Sequence, residues 1–314
     1  MATYQTYTAV GQREDLSDVI YNISPTDTPF MSSIGKTKAT ATYHEWQTDA
    51  LDAAALGGAV EGADASTITA APTSRIGNRT QIFTKSVAVA GTLEAVDKAG
   101  RKSEKAYQLA KVSSELKRNI ELTLLSNQVS SAGNSSTART MGGLQAWLST
   151  NGDFGVGGSA GSAGTTARTD GTDRTFTEAI LKTVVAEIYT AGGSPKVLMV
   201  NPAHKQVVST FAGIAAQRFM APSDGPSTII GAADVYMSDF GTISVVPNRF
   251  MNATNAGDET AFVVDPDMAA VAYLRPFQTI ELAKTGDSEK TQLLAELTLE
   301  VKNEAAHGLI GDLS

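Results

Sequence analysis

The feature that most constrains this 314-residue chain is an uninterrupted helical pattern over residues 102–129, KSEKAYQLAKVSSELKRNIELTLLSNQV. Leu109, Val112, Leu116, Ile120 and Leu124 follow at steps of three or four, which puts them on one face of a 3.6-residue helix. Lys111 with Glu115, and Lys117 with Glu121, are spaced i,i+4 and are expected to pair on other faces. No Gly or Pro interrupts the run, so at 1.5 Å per residue the helix would reach roughly 40 Å. Leu122, Leu125 and Val129 open a second apolar face near its end, which predicts burial on both sides there. By itself such a helix suits the core of an α/β enzyme; its neighbours decide what it serves.

Cysteine is absent, which excludes a disulfide framework, a thiolate zinc site and a cysteine nucleophile. The first residues lack a charged segment followed by an apolar one, and nowhere do about 18 apolar residues run together. The chain is therefore expected to be soluble, unexported and away from any membrane. Net charge is −8, and the 25 Lys and Arg are scattered without a like-charge block. That argues against a dedicated nucleic-acid-binding face; an acidic inner wall would instead repel enclosed DNA and leave it mobile. Aromatics are only 6%, while Ala, Gly, Thr and Ser abound, which favours broad thin layers over one thick core.

Residues 1–38 read as an arm. Leu16, Val19, Ile20 and Ile23 fit a short amphipathic helix after Glu14 and Asp15, whose charges suit a helix N-terminus. Pro25 and Pro29 force extended or turn geometry before them, and Phe30, Met31 and Ile34 form an apolar patch that must dock elsewhere. Between 39 and 91 the period changes to two: Tyr43, Glu45 and Gln47 alternate with His44, Trp46 and Thr48, and residues 82–89 alternate on the return. The Ala/Gly/Thr-rich stretch between these runs has no sustained apolar period, and a long isolated hairpin is marginal. A neighbouring surface is needed to cover it.

Further along, 151–173 is Gly/Ser/Thr/Asp-rich and is expected to be an exposed flexible loop, open to an accessory protein. Thr175 and Glu178 have capping-box spacing before a helix carrying Ile180, Leu181, Val184, Val185 and Ile188. Strands are predicted at 196–200, 233–237, 242–246 and 261–264, with a short helix from Pro202. Residues 271–309 are mainly β, turning at 285–287, and the natural partner of these strands is the long helix. Strand–helix alternation over 175–264 predicts a compact mixed α/β domain there, and with the separate β-rich segments before and after it the chain as a whole is expected to be α+β.

Catalytic patterns find no support. Residues 157–161 match G-x-S-x-G and 155–160 match G-x-G-x-x-A, but both lie in low-complexity sequence without the preceding strand those motifs require. His44, His204 and His307 are isolated, so neither a metal nor a cofactor is expected. Asp265-Pro266-Asp267 reads as a turn closed by a side-chain bond. Glu296 and Glu300 share a strand face and are expected to meet Arg or Lys from a neighbouring copy.

Five segments carry a resemblance to a known family: EDLSDVIYNISPTDTPF (14–30), EWQTD (45–49), VEGAD (60–64), NRTQIFTKSVAVAGT (78–92) and YLRPFQTIELAKTGDS (273–288). In this order they resemble the major capsid proteins of tailed bacteriophages, with the Hong Kong ninety-seven fold that encapsulin shells share. The resemblance implies an N-terminal arm (1–38) and an extended β-hairpin loop (39–91). It implies a peripheral domain (92–194 and 275–314) with a spine helix (102–129), and an axial α/β domain (195–274). It implies a non-enzymatic subunit that assembles with itself as hexamers and pentamers into the icosahedral head around double-stranded DNA, without sequence-specific binding. A portal, and separate scaffolding and decoration proteins, are its implied partners; the virion is its implied location, after assembly in the host cytoplasm. Phe30, Trp46, Arg75 and Arg79 are the expected inter-subunit contacts. One member of this fold class joins its subunits by a Lys-to-Asn bond from the extended loop; here no lysine lies between Lys38 and Lys85, so a noncovalent shell is expected. The competing readings are an encapsulin-like compartment shell and a cytosolic α/β enzyme built on 195–274.

Overall fold

The computed structural model describes residues 26–54, 56–58, 60–64, 72–98, 100, 102–211 and 234–314. The expected arm helix around Leu16 to Ile23 lies outside them. Pro29 occupies the first turn of α1 (Pro29–Ser33), where a missing N–H costs nothing, and the chain continues as β1 (Gly35–Lys38). β2 (Tyr43–Thr48) and β3 (Ser74–Arg79) form the two ends of the excursion, followed by β4 (Gln81–Ala90) and α2 (Gly91–Ala95).

The long helix is α3 (Glu104–Leu124), started by Ser103, whose side chain accepts from the Ala106 N–H. Leu116, Ile120 and Leu124 are buried and Leu109 and Val112 half-buried, as the spacing requires. The helix stops at Leu124 rather than Val129. Gly143 crosses so close to the next turn that a Cβ there would lie 2.2 Å from the Ser126 carbonyl oxygen, and the crossing chain occupies the path a longer helix would take. Neither i,i+4 pair forms. Glu115 turns to Lys85 at 2.6 Å, and Glu121 is fully buried.

Against α3 lies a four-stranded sheet, ordered β1, β10 (Ala269–Leu282), β11 (Ser288–Val301), β4. β1 runs parallel to β10 and the other pairs are antiparallel. Leu293, Ala295, Leu297, Leu299 and Val301 of β11 join the helix in one core, with Phe83 of β4 beside them, while Thr84, Ser86 and Ala88 face out. This corrects the expected hairpin: residues 82–89 do not return to 43–48 but pair with β11, and the partner of β2 is β3, with Trp46 opposite Ile76.

The second sheet has six strands, ordered β5 (Gly152–Asp153), β12 (Gly308–Ile310), β9 (Ala261–Val264), β6 (Val197–Val200), β8 (Gly241–Pro247), β7 (Val235–Ser238). Leu198, Val200 and Val263 pack on one side with α5 (Glu178–Thr190), whereas Met199, Phe262 and Val264 belong to the core that contains α3. Central strands covered on both faces read as unbroken apolar runs, hence VLMV and AFVV. The final strand pairs with β9 and β5, so the closing segment is divided between the two sheets rather than given wholly to the helix. α4 (Leu144–Trp147) lies fully buried, and α6 (Pro202–Val208) is capped by the Asn201 side chain. α5 begins at Glu178 with Thr177 at its cap, so the expected Thr175–Glu178 box is not made.

The Gly-rich tract 151–173 is also corrected. It is pinned rather than loose: Arg168 is buried, its guanidinium 2.7 Å from the buried carboxylate of Asp312, which also accepts from the Gly155 and Gly171 N–H groups. Asn127 bonds both the N–H and the carbonyl of Arg168. These five hydrogen bonds hold the tract together with Phe154, which packs against the core that contains α3.

Candidate assembly surface

The excursion has a firm root and a bare tip. At the root, the β2 alternation turns His44 and Trp46 inward, where the Trp46 ring lies 5.4 Å from that of Trp147. The His44 Nε2 is 3.1 Å from Glu300, whose carboxylate also accepts from the Thr37 hydroxyl at 2.7 Å. Asn78 is fully buried and does more than any residue singled out from the sequence. Its amide donates to the Gly142 and Leu299 carbonyls, and its oxygen accepts from the Gly142 N–H. Next to it Thr80 donates to Glu296, which holds Arg139 and, at 2.7 Å, Arg275. The two strand glutamates expected to meet a neighbour are thus satisfied within their own chain.

Beyond Thr48 that support ends. Leu51 and Leu56 are 99% and 109% exposed and Val60 is 80% exposed, on a stretch without secondary structure among its described residues. A groove of about 790 Å³ opens where the excursion leaves the body, walled by Leu51, Ile76, Trp147 and Glu304. Glu304 accepts from the Ser149 and Thr150 N–H groups and the Thr150 hydroxyl.

A second bare region lies at the far edge of the six-stranded sheet. Edge strand β7 exposes Val235 and, at 77%, Met237; nearby the rings of Tyr189 and Phe240 stack at 4.6 Å with both side chains about half exposed. Among the described residues no strand pairs beyond β7, and an open edge carrying apolar side chains is a template for another chain.

The four residues expected to touch neighbours fare differently. Phe30 is corrected: it is fully buried beside α3, and its N–H donates to Glu121 at 2.7 Å, so its own chain uses it up. Met31 donates to the other Glu121 oxygen and Asn248 adds a third donor. Burial pushes the Glu121 carboxyl above its ordinary value, and those three donors offset only part of the push. Trp46 is half-buried at the root. Arg75 is outward and exposed, 3.0 Å from Glu45, and Arg79 lies over the Tyr43 ring at 4.9 Å.

Asp170, Glu259 and Asp312 bring carboxylate oxygens within 4.8 Å of one another, but Arg168 already bonds two of them. Burial works against the Asp312 charge, yet the Gly171 and Gly155 N–H groups and Arg168 together hold it below the usual range. His307 is buried, burial lowers its imidazole below the ordinary histidine value, and its Nδ1 accepts from the Asp265 N–H. His204 is likewise lowered by burial and bonds the Asp258 carbonyl. Asp265-Pro266-Asp267 forms the expected turn, with the Asp265 side chain accepting from the Asp267 N–H.

A long sheet laid on a spine helix, a second sheet set beside it and a hairpin excursion make up the Hong Kong ninety-seven fold of phage capsids. The chain is similar to the solved capsid asymmetric unit of Cyanophage A-1(L), with a TM-score of 0.73 and 14% identity over 99% of both chains. It is also similar to an encapsulin complex from Synechococcus elongatus, with a TM-score of 0.57 and 10% identity over 100% of this chain and 97% of the other. The SU10 major capsid protein family matches residues 2–314, and the chain belongs to that family. The major capsid protein of Escherichia phage Phieco32 is 28% identical over 345 aligned positions, covering 98% of this chain and 96% of that relative. This is a structural capsid protein of a tailed phage, and the virion is its place.

Proposed function

We propose that the subunit closes an icosahedral head from hexamers and pentamers, each copy covering the bare excursion of the next, around double-stranded DNA bound without regard to sequence. The observation that carries this is the exposure of Leu51, Leu56 and Val60 beyond a well-bonded root. Apolar side chains held out on an extended stretch stabilise nothing in the monomer, whereas burial against a neighbour contributes about 25 cal/mol per Å². Arg75 and Arg79, outward on the same hairpin, are the polar contacts of that interface, with Trp46 setting its angle. In this reading 92–194 and 275–314 form the peripheral part and 195–274 the axial part, with the β7 edge and Phe240 lying toward the symmetry axes. A portal, a separate scaffolding protein and a decoration protein complete the head, which is assembled in the host cytoplasm.

Electron microscopy of the purified full-length chain tests this. Closed shells that give only monomer-sized bands after boiling in SDS are expected; a sharp monomer by light scattering at high protein concentration sinks the reading. The likeness to an encapsulin complex favours one alternative, a protein-filled compartment, and the nucleic-acid content of shells purified from infected cells separates the two.

A further inference from the structure

On a chain of net charge −8, the helix side of the four-stranded sheet is cationic. Lys111 and Arg118 are seven residues apart on α3, two turns and about 10 Å, and so point the same way. Lys117 flanks Arg118 and is exposed. Lys85 reaches up from β4 to Glu115, the one acid of this stretch, whose carboxyl is held below its ordinary value chiefly by that bond, with Lys111 and Arg118 adding to it. Lys36 and Lys38 of β1 are exposed in register with Val271 and Tyr273, which pack in the same core as the helix. Glu121, the other carboxylate of the central helix, is buried beneath Phe30 and Met31 and leaves Lys117 unpaired. Among the described residues, no acid lies within ion-pairing distance of Lys36, Lys38, Lys111, Lys117 or Arg118. The opposite face of the same sheet shows Ile82, Thr84, Ser86 and Ala88, with Lys290 tied to the Thr285 hydroxyl.

Near the start of the helix the same face also carries Glu281 and Glu289, which Lys105 meets at 3.2 and 3.1 Å; away from that end six cations face the half-buried Glu115, a local excess that neither the composition nor the scatter of charges along the sequence discloses. We propose that the α3 face, through Lys36, Lys38, Lys85, Lys111, Lys117 and Arg118, is the surface that meets the phosphate backbone of duplex DNA. This rests on the assembly reading above and deepens it by choosing which side of the subunit looks inward. Few contacts per copy hold DNA weakly, since each adds only about 0.9 to the salt dependence of binding. Many copies lining one wall supply the rest by effective concentration.

The test is fluorescence anisotropy of a labelled random-sequence duplex with unassembled full-length subunits, titrated between about 50 and 200 mM salt. Lys111→Gln with Lys117→Gln is expected to weaken binding and to flatten the slope of log K against log salt by roughly 1.8. Both lysines are without bonding partners, so folding is unaffected, whereas Arg118 rests over the Phe250 ring and is left intact. Lys290→Gln, on the other face, is expected to change neither quantity. An unchanged slope in the double variant, an equal loss in Lys290→Gln, or tighter binding of polyglutamate than of the duplex overturns the assignment; the last outcome points to an acidic protein instead. Micrographs of the same wild-type preparation are scored separately. Missing shells there count against the assembly reading and leave the DNA titration to be judged by itself.

Discussion

Glu121 is a buried carboxylate that faces donors and no cation. Three N–H groups, from Phe30, Met31 and Asn248, converge on its two oxygens, so the start of the chain, the spine helix and the turn after β8 are joined at one side chain. Glu121→Gln keeps the shape but turns an NH2 group toward an N–H donor, and a cost of about 1–3 kcal/mol in urea unfolding is expected. The pH dependence has a definite sign. Because the folded carboxyl sits above its ordinary value of 4.5, its contribution is fully present at acid pH and is lost as pH rises through the folded value. The advantage of wild type over Glu121→Gln should therefore widen on acidification; a narrowing would mean that the three donors outweigh burial. None of this was legible beforehand, because at i,i+4 from Lys117 a glutamate reads as a surface partner. Asn78 was equally hidden, since an isolated Asn in a polar strand carries no periodic signal. Phe30 was readable as apolar but not as to whose core it fills.

At the scale of elements, what has its own period was legible: α3, α5, the buried runs VLMV and AFVV, and the β10–β11 hairpin. Choice of partner was not. β3, Ser-Arg-Ile-Gly-Asn-Arg, has no apolar period to announce it as the partner of β2, whereas β4 alternates clearly, and the packing of Phe83 in the α3 core places β4 in the main sheet. The 151–173 tract failed for another reason, because its order comes from an ion pair between residues 144 positions apart. Asp312 also holds a left-handed backbone, φ 58°, which Asn tolerates well, so Asp312→Asn removes the charge without adding strain. With Arg168 still near Asp170, destabilisation of about 3 kcal/mol is expected. It would appear as a lower urea midpoint and as new protease cleavage within the tract.

For the whole molecule, the balance is between a body complete in itself and appendages that are not. Leu51→Asp with Leu56→Asp removes two exposed apolar groups that support nothing internally. The variant should melt within about 0.5 kcal/mol of wild type as a free subunit. In the ultracentrifuge it should sediment as unassembled material where wild type forms shells. Shells of normal yield from this variant would move the assembly contact elsewhere, with the β7 edge next in line.

The sheet that carries β1 and β4 is completed only by β10 and β11, some two hundred residues later in synthesis. At roughly 5–20 residues per second, the early strands wait tens of seconds on the ribosome beside a helix whose greasy side is still uncovered. Crowded polysomes translating many copies at once would bring such half-made chains together, so faithful production of this protein depends on something shielding them until the last strands emerge.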